Sequence, residues 1–314
     1  MKRKIFLSYK TKKEDVGKRI DSVTAREFPE YSRAHIQKWI KDGSLLLNNR
    51  EVKPKQCLDI HETIQINATE EPLTEDAPEN IPFDIIHEDE DIIIVNKQPG
   101  LVVHPGAGNR SGTLVNALLN HNESLGFLPR AGIVHRLDKD TSGVMVVAKN
   151  EISYLNIISQ LKERTVKRHY LAIVIGDPLV GSTIDEPIGR HPKQRTKQAV
   201  IETGKQAITT FKIKEKINGY SLLNVSLKTG RTHQIRVHLA YLNYPILGDS
   251  LYGGRKRFAP GTNEDLKKEI SQFSRQALHA EKLEFIHPGS GKKNQYFASL
   301  PIDMNDLIES LRGY

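Results

Sequence analysis

The sequence predicts an α+β protein: a small N-terminal unit of two helices and short strands, then a larger domain with a mixed, largely antiparallel sheet flanked by helices. Three observations carry this reading. Apolar runs of strand length recur between turns from Phe83 onward, at 92–95, 101–103, 144–148, 170–175 and 222–227. Helical patterns separate only some of them, at 112–119 and 153–164, without regular strand–helix alternation, which favours a mixed sheet. Residues 68–82 (ATEEPLTEDAPENIP) are acidic, hold three prolines and lack periodicity. They divide the chain into a unit over 11–67 and a domain over 83–314, joined by an extended, self-repelling linker.

The N-terminal unit reads as helix, helix, strands. Ile20, Val23 and Phe28 share one helical side, and Ser32 offers an N-cap to a helix from Arg33 to Lys41 with Ile36, Trp39 and Ile40 as its apolar stripe. Gly43 is a C-terminal stop, and 45–52 (LLLNNREV) reads as strand, Asn-Asn turn, strand. Arg33, Lys38 and Lys41 lie off the stripe, where charges on one helix are ordinarily just solvated.

A net charge of +8 over 314 residues fits an anionic partner without identifying one. The 38% hydrophobic content supports a sizeable core. One cysteine, Cys57, excludes an internal disulfide and a cysteine-built metal site, and suits a reducing cytoplasm. No apolar core of signal-peptide length and no run approaching the ~18 residues of a membrane span is present, so a soluble cytoplasmic protein is expected.

The chemistry concentrates in 131–150 (AGIVHRLDKDTSGVMVVAKN). Its apolar second half has the pattern of a strand buried on both faces. Immediately before it stand His135, Arg136, Asp138, Lys139, Asp140, Thr141 and Ser142, polar groups delivered to a sheet edge, where sites are commonly staged. Other readings of local motifs are weaker. The glycines of 104–112 (HPGAGNRSG) miss dinucleotide-loop spacing by one position. Asp140-Thr-Ser-Gly occurs once, whereas aspartic proteases need two carboxylates from two such loops or two chains. His233 and His238 are five apart, not the i, i+4 spacing of paired metal ligands on a helix. No metal and no cofactor is expected.

The block His135-Arg-Leu-Asp-Lys-Asp-Thr-Ser-Gly143 resembles the H-R-L-D-x-D-T-S-G motif of the RluA-type pseudouridine synthases at every specified position. The resemblance continues through 96–105 (NKQPGLVVHP), Arg168-His-Tyr170-Leu-Ala, 230–238 (GRTHQIRVH), 248–254 and 275–288. The N-terminal unit is similar to the S4 RNA-binding domain at Arg19-Ile-Asp21, Ser32-Arg33, Ile40 to Gly43 and 45–48, with Asn49 where glycine is usual. The resemblance implies Asp138 as catalytic carboxylate, Arg231 as the arginine paired with it, and Tyr170 as the active-site tyrosine. It implies Arg136 as the residue that props the helix vacated by a flipped base, and RNA contacts from Arg33, Lys38 and Lys41. Lys193 and Arg195, in the basic run 190–197 (RHPKQRTK), suit a phosphate clamp. His135, Lys139 and Asp140 are expected to shape the loop. The blocks HPGAGN, PRAGIVHRLDKDT, GRTHQIRVH, YGGR and RQALHA resemble members acting on large-subunit ribosomal RNA, free or pre-assembled into the subunit. The modified site would be the loop of the stem-loop that bridges to the small subunit, and the enzyme a monomer. A non-catalytic RNA-binding assembly factor, a synthase acting on a different ribosomal or transfer RNA site, and a uracil-releasing glycosidase are the rival readings.

Overall fold

The computed structural model describes residues 2–106, 108–254 and 258–313. Ala107 of the HPGAGN block and Arg255 of YGGR lie outside the described residues. In the N-terminal unit, strand β1 (Arg3–Lys10) precedes helices α1 (Ile20–Glu27) and α2 (Arg33–Lys41), followed by β2 (Leu45–Leu47) and β3 (Thr63–Glu70). β3 pairs antiparallel with β1 on one side and β2 on the other. The unit therefore starts before Thr11: β1 is a full partner of β3 from Arg3↔Glu70 to Lys10↔Thr63. Its alternating exposure gave too few consecutive apolar residues to stand out as a strand.

The Ser32 side chain caps α2 by accepting from His35 N, and Ile36, Trp39 and Ile40 bury the stripe. α1 begins only at Ile20, because Gly17 adopts φ +74° and the Val16 and Arg19 backbones bridge to Leu58 and Cys57. Asn48 and Asn49 both take left-handed φ, 51° and 64°, the geometry of a tight turn. The second strand expected after it shrinks to a single bridge between Leu47 and Arg50.

In the larger domain, β4 (Asp84–Glu88), β5 (Ile92–Lys97), α3 (Leu114–His121), β6 (Ser142–Ala148), α4 (Glu151–Lys162) and β7 (Lys167–Ile175) come first. They are followed by β8 (Ser182–Asp185), β9 (Ile188–Arg190), β10 (Gln198–Val200), β11 (Ile208–Ile217), β12 (Tyr220–Leu227), α5 (Gln234–Tyr241) and α6 (Glu264–Gln272). β13 (Leu278–Ile286), β14 (Lys293–Phe297) and α7 (Ile302–Gly313) close the chain. The main sheet runs β4-β5-β6-β13-β7-β12-β11-β8, with β14 on the far end of β13. Its neighbours are antiparallel except β6 and β13, which run parallel at Ser142 and Gly143. The sheet is mixed and largely antiparallel, as the pattern of short apolar runs predicts. β13 is not the last core strand, since β14 pairs with it from Phe297↔Lys282 to Lys293↔Ile286. Leu101 to Val103 form no strand, and only a bridge from Val102 to Thr113 remains there.

Gly143 shows why the T-S-G turn needs glycine. It sits at φ +116°, and a Cβ there would lie 2.2 Å from the Ala280 carbonyl oxygen. The close approach of β6 to β13 allows no side chain at that point.

The acidic stretch is extended but pinned. Leu73 N donates to Gly126 O and Glu79 N to Asn116 O, while Asn116 Nδ2 donates to Ala77 O. The two units also touch directly: Glu151, at the start of α4, accepts from Ser32 Oγ at 2.7 Å and lies 2.9 Å from His35 Nδ1. No helix among the described residues is long and apolar enough to cross a membrane.

Candidate active site

Asp138 lies in the loop that enters β6, at the middle of the sheet. Four donors from distant parts of the chain hold that loop: Lys97, Gly100, Arg275 and Gln276. The Lys97 ammonium donates to the carbonyls of Lys139, Gln98 and Leu101 at 2.8–2.9 Å, and Gly100 N also donates to Lys139 O. Arg275 Nη1 donates to Asp140 O, and Gln276 Nε2 to Thr141 Oγ1. On the other side His135 Nε2 accepts from Val146 N. Burial, then the charge of Arg168, pushes His135 down to about 3, so it is a neutral acceptor at physiological pH. Lys139 and Asp140 therefore shape the loop through their backbones, which leaves Asp138 as the carboxylate presented to the cavity.

That cavity, of about 560 Å³, is lined among others by Asp138, Tyr170, Arg136, Arg168, Arg231 and Arg236, and lies within the ~300–1,000 Å³ of small-molecule pockets. The arginine paired with Asp138 is Arg236, not Arg231. Arg236 Nη1 donates to Asp138 Oδ2 at 3.0 Å, while Nε and Nη2 grip both oxygens of Asp249 at 2.7 and 3.0 Å. Burial opposes the charge of Arg236, but Asp249 and Asp138 more than compensate and hold it firmly protonated. Arg231 is exposed and turns away, with its Nε on the Gln206 carbonyl.

The local backbone explains the exchange. The N-cap of α5 is His233 in the left-handed region, at φ 56°. Gln234 Oε1 takes the capping role by accepting from Arg231 N and Thr229 Oγ1. This turn leaves Arg231 on the rim and points Arg236, two residues into a helix buried from Gln234 to Leu239, at the sheet. The carboxylates of Asp138 and Asp249 offset the desolvation of the buried Arg236 guanidinium, a burial that the motif alone does not reveal.

The second carboxylate oxygen has only a loose neighbour, His233 Nε2 at 3.9 Å from Oδ1. Burial lowers His233 while Asp138 opposes the shift, and its Nδ1 lies 2.8 Å from Tyr252 Oη. Tyr252 in turn accepts from Gln198 N, so the β9–β10 hairpin is tethered beside the site. The loop of that hairpin carries Lys193 and Arg195, both exposed. Tyr170 is buried on β7, and burial raises its phenol, with Arg168 opposing and Asp138 adding to the rise. Arg136 is exposed at the mouth.

The structure thus brings Asp138, Tyr170 and Arg136 together and places Arg231 beside them in another role. Arg33 lies in the other unit, where its Nη2 bonds the buried Asp21 carboxylate at 2.9 Å, beside Arg19. Lys38 and Lys41 are exposed on the same helix. Among the described residues one cluster, Asp89, Asp91 and His287, has metal-ligand spacing. It lies outside this cavity, and its atoms are engaged by Asn150, Ser153 and His87.

The cavity thus holds a carboxylate bonded by a guanidinium beside a buried phenol, and comparison with known proteins gives the class. The sequence profile described as RNA pseudouridylate synthase matches residues 91–241, and the chain belongs to that family of enzymes. It is 45% identical over 314 residues to ribosomal large subunit pseudouridine synthase D of Escherichia coli K12, covering all of this chain and 96% of that protein. The protein of the same name from Xanthomonas campestris is 47% identical over 296 residues, covering 94% of this chain and 89% of its own. Among solved structures, human RNA pseudouridylate synthase domain containing 4 superposes with a TM-score of 0.58 at 26% identity, covering 73% of this chain and 92% of that one.

Proposed function

We propose that this enzyme isomerises specific uridines of large-subunit (23S-type) ribosomal RNA, in the loop of the stem-loop that bridges to the small subunit, with Asp138 as the catalytic carboxylate. The observation that carries the chemistry is the Asp138–Arg236 pair in the cavity. The substrate follows from similarity along the full chain to relatives named for that RNA. Pseudouridine formation breaks the N1–C1′ bond, turns the base and rejoins it through C5. A glycosidase needs a second carboxylate to handle water. Here the departing base is itself the nucleophile that returns, so one ionised carboxylate suffices. A guanidinium favours that charged form against desolvation. With Oδ2 tethered to Arg236, Oδ1 is the oxygen available to the sugar. Tyr170 offers a flat face to a flipped base, and Arg136 props the stack it leaves.

The N-terminal unit serves as an S4-like RNA-binding module, with Arg33, Lys38 and Lys41 on helix α2 and Lys193 and Arg195 on the hairpin loop meeting phosphates. Arg33 reaches RNA from its perch on Asp21. The enzyme works as a cytoplasmic monomer without metal or cofactor, on free RNA or the assembled subunit.

Asp138→Asn tests the reading. It should bind unmodified large-subunit RNA as the wild type does and form no product, scored by carbodiimide labelling and reverse transcription. Reverse-transcription stops in the bridging loop are expected for the wild type. Stops elsewhere would overturn the substrate, product from Asp138→Asn would overturn the role of the carboxylate, and release of free uracil would make the protein a glycosidase.

A further inference from the structure

Arg168 is a charged group in the cavity that has no counter-charge. It sits on β7 two residues before Tyr170, so both side chains leave the same face of the strand. It lines the cavity with Asp138. Its Nε is shut off from solvent and has no hydrogen-bond partner, and Arg168 forms no ion pair among the described residues. The other arginines lining the cavity are differently disposed: Arg236 holds two carboxylates, Arg231 and Arg164 bond the backbone and side-chain oxygens of Gln206, and Arg136 and Arg130 are exposed.

The guanidinium occupies the space that a side chain at Gly230, in the G-R-T-H block, would need. A Cβ on Gly230 would lie 2.5 Å from Arg168 Nη1. The backbone at Gly230 is not left-handed, so space rather than torsion is what glycine supplies there. A half-buried cation whose Nε is closed off from solvent and unpaired is costly to keep, and it is suited to an anion that exists only during the reaction.

We propose that Arg168 is a catalytic residue whose guanidinium binds the uracil ring of the target nucleotide and receives the negative charge that develops as the N1–C1′ bond breaks. This rests on the reading of Asp138 and Tyr170 as the reacting and stacking groups. The bonding pair leaves with the base and spreads over N1, O2 and O4. When C5 bonds to C1′, the C5 proton is lost and N1 gains one, so the step is an isomerisation that consumes nothing. The recessed position beside Tyr170 selects the base over a phosphate, which the exposed Arg136 and Arg231 are better placed to meet.

The test is Arg168→Met, with Arg168→Lys as the charge-retaining variant and Gly230→Ala, which displaces the guanidinium without removing it. Single-turnover loss of the parent nucleoside is followed on large-subunit RNA transcribed with UTP or with 5-fluoro-UTP. Fluorine stabilises the base anion; the fluorinated C5 carries no proton to lose, so consumption of the parent nucleoside rather than pseudouridine is scored, and each variant is compared with the wild type on the same RNA. Arg168→Met should slow the uridine reaction by roughly 10²–10³-fold, the loss typical of removing one preorganised charge-stabilising donor. The loss should be much smaller on the fluorinated RNA, with RNA affinity and its salt dependence unchanged. Arg168→Lys should recover part of the rate, and Gly230→Ala should lose rate in the same substrate-dependent way. An equal loss on both RNAs would overturn the proposal. So would a weakened affinity with a shallower salt dependence, the mark of a lost phosphate contact. Asp138→Asn, dead on both RNAs, separates failure of this inference from failure of the site itself.

Discussion

Arg236 holds Asp138 by a single hydrogen bond of 3.0 Å while spending the rest of its guanidinium on Asp249. Asp249 is itself fixed, with its Oδ1 accepting from the backbone N–H groups of Leu251 and Tyr252. The orientation of the Asp138 carboxylate is therefore set from Asp249 through Arg236.

This geometry separates the two arginines of one motif. Arg236→Lys keeps a positive charge but cannot span two carboxylates, so kcat should fall about 10²-fold through misplacement of Asp138, with RNA affinity retained. Arg231→Ala should do the reverse, weakening RNA binding and its salt dependence while leaving kcat nearly intact. Pre-steady-state kinetics and filter binding on both variants check the split. A kcat collapse in Arg231→Ala alone would return that residue to the carboxylate.

The contact between the two units is sensitive to pH. His35 lies 2.9 Å from Glu151 and 2.6 Å from Glu70, and these two carboxylates raise it to about 9. The folded value stands above the unfolded one, so the stabilisation is complete below about pH 6.5 and is lost as pH rises through 9. The thermal melting difference between wild type and His35→Gln should shrink steadily from pH 6.5 to 9.5. A difference that stays constant across that range would mean the charge of His35 contributes nothing.

Lys97 is fully buried, yet it supplies its protons to the carbonyls of Gln98, Leu101 and Lys139. Burial pushes its ammonium down, and Asp140 and Asp138 push back. Three carbonyls match the three protons of the charged form. Lys97→Met would leave them without a donor, at about 1–3 kcal/mol for each buried group left unpaired. Denaturant unfolding should show a loss of at least ~2 kcal/mol, and the surviving folded fraction should still bind RNA. An unchanged midpoint would show the carbonyls are satisfied otherwise.

Much of this molecule was legible in the chain. The strand-length apolar runs announced β5, β6, β7 and β12, because burial on both faces of a sheet demands continuous apolar sequence. β1 escaped because one of its faces meets water and its exposure alternates. The Ser32 cap, the Asn48-Asn49 turn and the placing of Asp138 just before a buried strand were local, and local chemistry is written in consecutive residues.

The sequence by itself determined the class of enzyme, the loop that carries its carboxylate and the residue types around it. Tertiary structure alone decided which arginine serves Asp138, which glycine makes space for Arg168, and what clamps the loop. Arg231 and Arg236 are chemically identical and five residues apart, and only the left-handed turn at His233 sends one to the rim and the other into the core. Lys97, Arg275 and Gln276 reach the loop because β6 lies between β5 and β13. Partnership among like side chains depends on where each is buried, and burial is set by the packing of strands far apart in the chain.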